Sequence, residues 1–229
     1  MIKAIVFDVD NTLVDFTKWK NAAVDAAIVA MIDAGLDLTP EQAHKKIYEI
    51  YERRGIEYQG VFDDFLSEVL GHVDHRVLAA GIVSYRRARE GALVAYPHVN
   101  LALLRLFRMR LKLAVVSDAP RLPVWMRLVQ LGVDNFFDVV VTFDDTGVRK
   151  PAPEPFRKAL ELLQVKPDEA VMVGDWAERD ILGAKELGMH TVFARYGDTF
   201  GTSKSGADFD IGDIIELIPV VEKLNSGSG

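Results

Sequence analysis

The 229-residue sequence contains no cysteine. That excludes disulfides, thiolate nucleophiles and cysteine-ligated metals, so covalent or metal chemistry must come from oxygen and nitrogen side chains. Histidine is scarce as well. His44, His72, His75, His98 and His190 are scattered, only His72 and His75 have ligand-like spacing, and all five read as surface or satisfied core residues. A basic excess is also missing: 27 Lys+Arg against 34 Asp+Glu give a formal net charge of −7. This argues against a nucleic-acid partner held by a broad basic surface, while leaving room for a small basic pocket. Long apolar runs are absent. The opening "MIKAIVFD" is broken by aspartate and is too short for a signal peptide or a bilayer span, so no membrane partner and a cytoplasmic location are expected. The closing "SGSG", 226–229, reads as a flexible tail outside the fold.

What is present is an ordinary soluble composition, 49% hydrophobic and 27% charged, with enough chain for one large domain or one domain carrying an insertion. Apolar runs rich in valine and isoleucine recur: "IKAIVF" before Asp8, "LKLAVV" before Ser117, "DVVVTF" before Asp144, "EAVMVG" before Asp175 and "HTVFA" before Arg195. Continuous rather than alternating apolar character predicts strands covered on both faces, as in a parallel sheet. Helical patterns lie between them: Leu101, Leu104 and Leu106 with Phe107; Val124, Leu128 and Leu131 before Gly132; Phe156, Ala159, Leu160 and Leu163; and Ile181, Ala184 and Leu187 before Gly188. The pattern predicts an α/β, doubly wound, mostly parallel Rossmann-like core from 1–14 and 95–225. Residues 15–94 break the rhythm. Val24, Ile28, Met31 and Ile32 share one helical face, Thr39, Pro40 and Gly55 bracket a second helix, Phe62 to Leu70 form a third and Val77 to Tyr85 a fourth. A helical insertion after the first strand is expected.

In open parallel sheets ligands bind beyond the carboxyl ends of the strands, where strand order switches. Asp8, Asp10, Ser117 and Asp175 each follow an apolar strand, and Lys150 precedes a helix on the same edge. Several carboxylates, a lysine and a hydroxyl around one point are costly to desolvate; a divalent cation and a phosphate sharing the site make the arrangement reasonable.

At these residues the chain resembles a known family. "DVDNT", containing Asp8, Asp10 and Thr12, fits the first motif of the haloacid dehalogenase (HAD) superfamily of phosphohydrolases. "VVSD" is similar to the second, "RKPAPEPF" to the third, and "VGDWAERDILGAKELGM", with Asp175 and Asp180 five positions apart, to the fourth. The helical insertion matches the position of the family's first class of cap. The resemblance implies that Asp8 is the nucleophile, forming an aspartyl-phosphate, and that Asp10 is general acid toward the leaving oxygen and then base toward water. It implies a Mg²⁺ site made from the Asp8 carboxylate, the Asp10 backbone carbonyl, Asp175 and Asp180. Ser117, Lys150 and Asp118 would bind phosphate, Lys150 would offset negative charge, and Thr12 would fix the loop. Two departures stand out: Asn11 occupies a position where many members have glycine, and Asp118 one where many have asparagine. An aspartate cannot donate to phosphate unless protonated, so facing the cap, binding a cationic substrate group and bracing the loop remain open for Asp118.

The expected function is Mg²⁺-dependent hydrolysis of a small phosphorylated metabolite, with a homodimer an open assembly state. The alternatives are a phosphomutase or phosphonate-cleaving relative, for which Lys18 and Lys20 are the only Schiff-base candidates, a phospho-accepting signalling module, and a 2-haloacid dehalogenase. The dehalogenase branch expels a halide, needs no acid and lacks an aspartate at the Asp10 position. Lys18, Lys20, Arg53, Arg54, Arg86, Arg87 and Arg89 read as solvated helical faces. Trp19 and Trp125 fit the entrance or the core equally, whereas Trp176 must lie near Asp175.

Overall fold

The computed structural model describes residues 1–226. Six strands form one parallel sheet: β1 Ala4–Phe7, β2 Lys112–Val116, β3 Val139–Val141, β4 Ala170–Gly174, β5 His190–Ala194 and β6 Phe209–Ile211. Their order is β3-β2-β1-β4-β5-β6. The chain winds outward from β1 to β3, returns to the other side of β1 and winds outward again, so the order switches between β1 and β4, where open sheets leave a crevice. Val6 pairs in register with Ala114 on one side and Met172 on the other. All four residues of β1 are buried, as are all five of β4. That double-sided burial is why the runs are continuously apolar rather than alternating.

Ten helices lie among the described residues: α1 Phe16–Asp33, α2 Pro40–Arg54, α3 Val61–Leu70, α4 His75–Ala92, α5 Val99–Arg108, α6 Arg121–Leu131, α7 Phe143–Thr146, α8 Pro153–Leu163, α9 Leu182–Glu186 and α10 Leu217–Ser226. The amphipathic face of α8 supplies Phe156, Ala159, Leu160 and Leu163, which pack with Val6, Ala114, Val116 and Met172 into one layer of core. The chain divides into two compact units, one of Met1–Phe16 with the chain from Val94 onward, the other Thr17–Leu93. The second holds its own core of Val24, Ile28, Met31, Ile47, Phe62, Phe65 and Leu66. Two helix ends in it are capped locally: Thr39 and Gln42 form a reciprocal capping box at the start of α2, and Gly71 ends α3 in the left-handed conformation.

The structure revises several expectations. The fourth helix extends beyond the apolar face of Val77 to Tyr85 at both ends: it runs His75–Ala92, capped by the Asp74 carboxylate, which accepts from the Arg76 and Val77 amides. On α5 the expected apolar face is largely the wrong one: Val99, Ala102, Leu103 and Leu106 are buried, whereas Leu101 and Phe107 are 41% and 58% exposed. β6 has no counterpart in the sequence reading; three residues with an exposed Asp210 at the centre carry too little pattern. Ser226, expected in the tail, closes α10, while 227–229 lie outside the described residues.

Candidate active site

The site is built at the carboxyl end of β1. The Asp8 amide still donates to the Val173 carbonyl of β4 at 2.9 Å, after which the chain leaves the sheet in a tight turn. Asn11 has φ 59°, in the left-handed region. Asparagine tolerates this conformation better than other side-chain-bearing residues, so it can serve where glycine is the more obvious choice. The Thr12 hydroxyl donates to Asp175 Oδ1 at 3.1 Å, tying the turn to the end of β4. The segment after β5 closes the turn from outside. Tyr196 Oη donates to the Thr12 carbonyl at 2.8 Å, and a Cβ on Gly197 would lie 1.6 Å from the Asn11 carbonyl oxygen. Only glycine permits that approach.

Asp8, Asp175 and Asp180 are all buried, and one carboxylate oxygen from each falls within 4.8 Å of the others. Asp180 is carried by a π-helical turn, Ala177–Ile181, and its Oδ2 accepts from the Trp176 amide at 3.0 Å. The buried Lys150 ammonium is 2.5 Å from Asp8 Oδ1, 2.7 Å from Asp180 Oδ1 and 3.0 Å from the Val116 carbonyl. The hydrogen bonds of the ammonium go to Asp8 and the Val116 carbonyl, and its contact with Asp180 is an ion pair. One ammonium cannot neutralise three carboxylates. Burial, with the neighbouring Asp180 and Asp10 charges, pushes Asp8 up to about 8 against the opposing pull of Lys150. Asp175 is raised well above its usual range by burial and by Asp8 and Asp180. Burial works against the charge on Lys150, but Asp180, Asp8 and Asp118 outweigh it and hold the ammonium firmly protonated. Buried carboxylates that favour protons in isolation, arranged as hard oxygen donors on one spot, fit a Mg²⁺-type ion.

The other expected residues are distributed around this cluster. Ser117 is buried at the end of β2, its Oγ accepting from the Ala119 amide at 3.2 Å. Asp118 has the contacts of a brace: Oδ1 accepts from the Lys150 amide at 2.8 Å and Oδ2 from Arg179 Nη1 at 3.0 Å. That arrangement ties Asp118 both to the loop that carries Lys150 and to the turn that carries Asp180. The Asp10 carboxylate is not part of the three-carboxylate group; its Oδ1 lies 3.1 Å from Nε of Arg127. Nothing in the sequence reading marked Arg127, which stands between the apolar positions Val124 and Leu128 of α6. Tyr196 was likewise missed, and only its position just past a buried strand could have signalled it. Trp176 does lie by the site, with the Arg179 guanidinium 3.7 Å from its ring centroid and the Phe200 ring tilted against it at 4.5 Å.

Within Thr17–Leu93, Lys18 is exposed but Lys20 is not on a solvated face. It is 6% exposed, donates to Tyr85 Oη at 3.0 Å and sits 4.4 Å from the Tyr51 ring centroid. Its apolar stem packs while tyrosine rings and a hydroxyl solvate the head, an environment no helical-face pattern reveals. Trp19 is buried too, its indole N–H donating to the Arg89 carbonyl at 2.7 Å.

A Rossmann-ordered parallel sheet with a lysine-bound trio of carboxylates at its topological switch defines an α/β enzyme core with a candidate cation centre. Residues 2–188 match the family described as haloacid dehalogenase-like hydrolase. A protein of Methanocaldococcus jannaschii named glyceraldehyde 3-phosphate phosphatase is 37% identical over 227 residues, which is 98% of this chain and 99% of that one. One of the same name from Pyrococcus furiosus is 34% identical over 98% of this chain and 95% of its own. The crystal structure of a HAD phosphatase from Thermococcus onnurineus superposes with a TM-score of 0.69 at 28% identity, covering 96% of this chain and 98% of that one. The chain belongs to the haloacid dehalogenase-like hydrolases.

Proposed function

We propose that the protein is a Mg²⁺-dependent phosphatase that hydrolyses a small phosphorylated metabolite through an aspartyl-phosphate on Asp8. The observation that carries this is the cluster of Asp8, Asp175 and Asp180 closed by Lys150 at the end of β1. Asp8, Asp175 and Asp180, with the Asp10 carbonyl, would hold the ion, which supplies positive charge against the anionic phosphoryl group and orients it.

The protein's own groups then do the following. The Asp8 carboxylate attacks phosphorus as the bond to the leaving oxygen breaks, which splits one difficult displacement into two easier ones. Asp10 gives a proton to that leaving oxygen. It then takes one from the water that attacks the aspartyl-phosphate, releasing inorganic phosphate and restoring Asp8. Ser117 donates its hydroxyl to a phosphoryl oxygen, and Lys150 offsets the charge that Asp8 and the phosphate bring together. Asp118 braces the Lys150 loop.

The names of the relatives support glyceraldehyde 3-phosphate, a three-carbon sugar phosphate, as the substrate. Metabolites of this kind also suit a cytoplasmic setting. No helix among the described residues is long and apolar enough to cross a membrane. The test is phosphate release from a panel of phosphorylated metabolites with and without Mg²⁺. Metal-dependent turnover with glyceraldehyde 3-phosphate among the best substrates is expected, and a panel without any metal-dependent turnover overturns the reading.

A further inference from the structure

Both proton transfers in the proposed reaction depend on Asp10, and its carboxylate is held from a helix that belongs to none of the four motifs. Arg127 lies on α6, on the same face as the buried Val124 and Leu128, and is itself 2% exposed. A guanidinium at a core-facing position is costly unless it is paired. Here Nε makes an ion pair with Asp10 Oδ1 at 3.1 Å, while the guanidinium carbon lies 4.7 Å from the ring centroid of buried Phe16. A planar, delocalised cation can meet a carboxylate at its edge and an aromatic ring on its face, which an ammonium cannot do equally well.

We infer that Arg127 is a positioning residue for proton transfer. It clamps the Asp10 carboxylate in the orientation from which it serves the leaving oxygen. Asp10 stands on a turn next to a left-handed residue, and its short side chain is oriented by what it touches. Helix α6 lies in the sheet unit and begins four residues after Ser117, so the residue that meets the acid comes from the element following the Ser117 loop. Displacing a general acid from hydrogen-bond reach removes most of its effect. The inference rests on the proposed function, in which Asp10 is the acid.

The experiment uses the full-length enzyme and two esters: glyceraldehyde 3-phosphate, whose alkoxide must be protonated as it leaves, and 4-nitrophenyl phosphate, whose phenolate leaves unaided. The readout is kcat/KM, which reports the steps through cleavage of the ester bond. In Arg127→Met it should fall about 100-fold on the alkyl ester and only about threefold on the aryl ester, within the range expected for loss of acid catalysis. Arg127→Lys should recover part of the alkyl activity. Equal losses on both esters, or no loss on either, overturn the inference, because a purely structural arginine would not distinguish leaving groups. If Arg127→Met does not fold, Arg127→Lys decides: an aryl-to-alkyl ratio unchanged from the parent overturns it. Asp10→Asn separates the two layers. If that variant loses both esters equally in kcat/KM, the assignment of Asp10 as the acid has failed, and the inference about Arg127 falls with it.

Discussion

The Lys150 ammonium stands 2.5 Å from Asp8 Oδ1 although 142 positions of sequence separate the two residues. The same ammonium reaches Asp180 at 2.7 Å, so a single cation holds the ends of the first and fourth motifs together. Charge balance at this point governs both the chemistry and the stability of the surrounding sheet edge.

Replacing Asp8 by asparagine removes the nucleophile while keeping the shape of the side chain. Turnover on any phosphate ester should fall by at least about 10³-fold, as expected when a covalent nucleophile is lost. A steady-state assay checks this, and unchanged turnover would end the aspartyl-phosphate mechanism.

Lys150→Met leaves three buried carboxylates without their ammonium. Breaking a buried pair from one side costs about 3–5 kcal/mol, reduced as the carboxylates take up protons. Denaturant titration in chelator at neutral pH should show a loss of that order, shrinking toward acid. A variant as stable as the parent across this range would contradict the picture of a strained acidic cluster.

The pH dependence of the metal-free protein has a definite sign. Asp8 is raised from 3.8 to about 8 by burial and by its acidic neighbours, and Asp175 is raised in the same direction. The folded state therefore binds more protons than the unfolded state through this interval. The contribution is present in full below the ordinary carboxylate range and is lost as pH climbs through the folded value. Melting temperature in chelator should therefore decline from mildly acidic to mildly alkaline pH, and Mg²⁺ should flatten the decline by taking the place of the protons. A melting temperature that rises with pH in chelator is the contrary result.

Gly197→Ala places a methyl group against the Asn11 carbonyl, where a Cβ would lie at 1.6 Å. Backbone must move to admit it, and the turn carrying Asp10 moves with it. We expect a loss of about 1–3 kcal/mol, typical of overpacking, with a larger fall in kcat than in stability-matched variants elsewhere. Tyr196→Phe deletes only the hydrogen bond to the Thr12 carbonyl and should cost about 1 kcal/mol. Calorimetry with parallel kinetics tests both, and a Gly197→Ala enzyme of full activity would show that the turn tolerates displacement.

Asp118→Asn discriminates bracing from phosphate binding. The amide oxygen can still accept from the Lys150 backbone, whereas the ion pair with Arg179 is lost. Activity should change by less than about tenfold, since this pair is partly exposed. Asp118→Ala, which removes both contacts, should be more damaging. A large rise in KM confined to the asparagine variant would instead mark a substrate contact.

Much of the frame was legible without coordinates. The buried runs that became β1, β2, β4 and β5 needed only continuous apolar sequence rich in valine and isoleucine to be seen, and each ends beside an acidic residue, a hydroxyl or a basic residue. The face of α5 was misjudged because leucines at 101 and 104 look apolar in isolation, while the helix buries Val99, Ala102, Leu103 and Leu106. Lys20 was misjudged for the converse reason: its charge suggests solvent, but Tyr51 and Tyr85 solvate it inside the helical unit.

By itself the sequence indicated β1 to β5, the helices of the insertion, most of the helices between the strands, and which chemical groups stand at the strand ends. Those features follow from neighbours within a few positions, through backbone preference and the period of apolar side chains. Only the tertiary structure decided that Arg127 meets Asp10, that Asp118 accepts from the Lys150 amide and pairs with Arg179, and that Tyr196 with Gly197 backs the turn after Asp8. These pairings join residues far apart in the chain, and they exist only once the strand order has brought separate loops to one edge of the sheet.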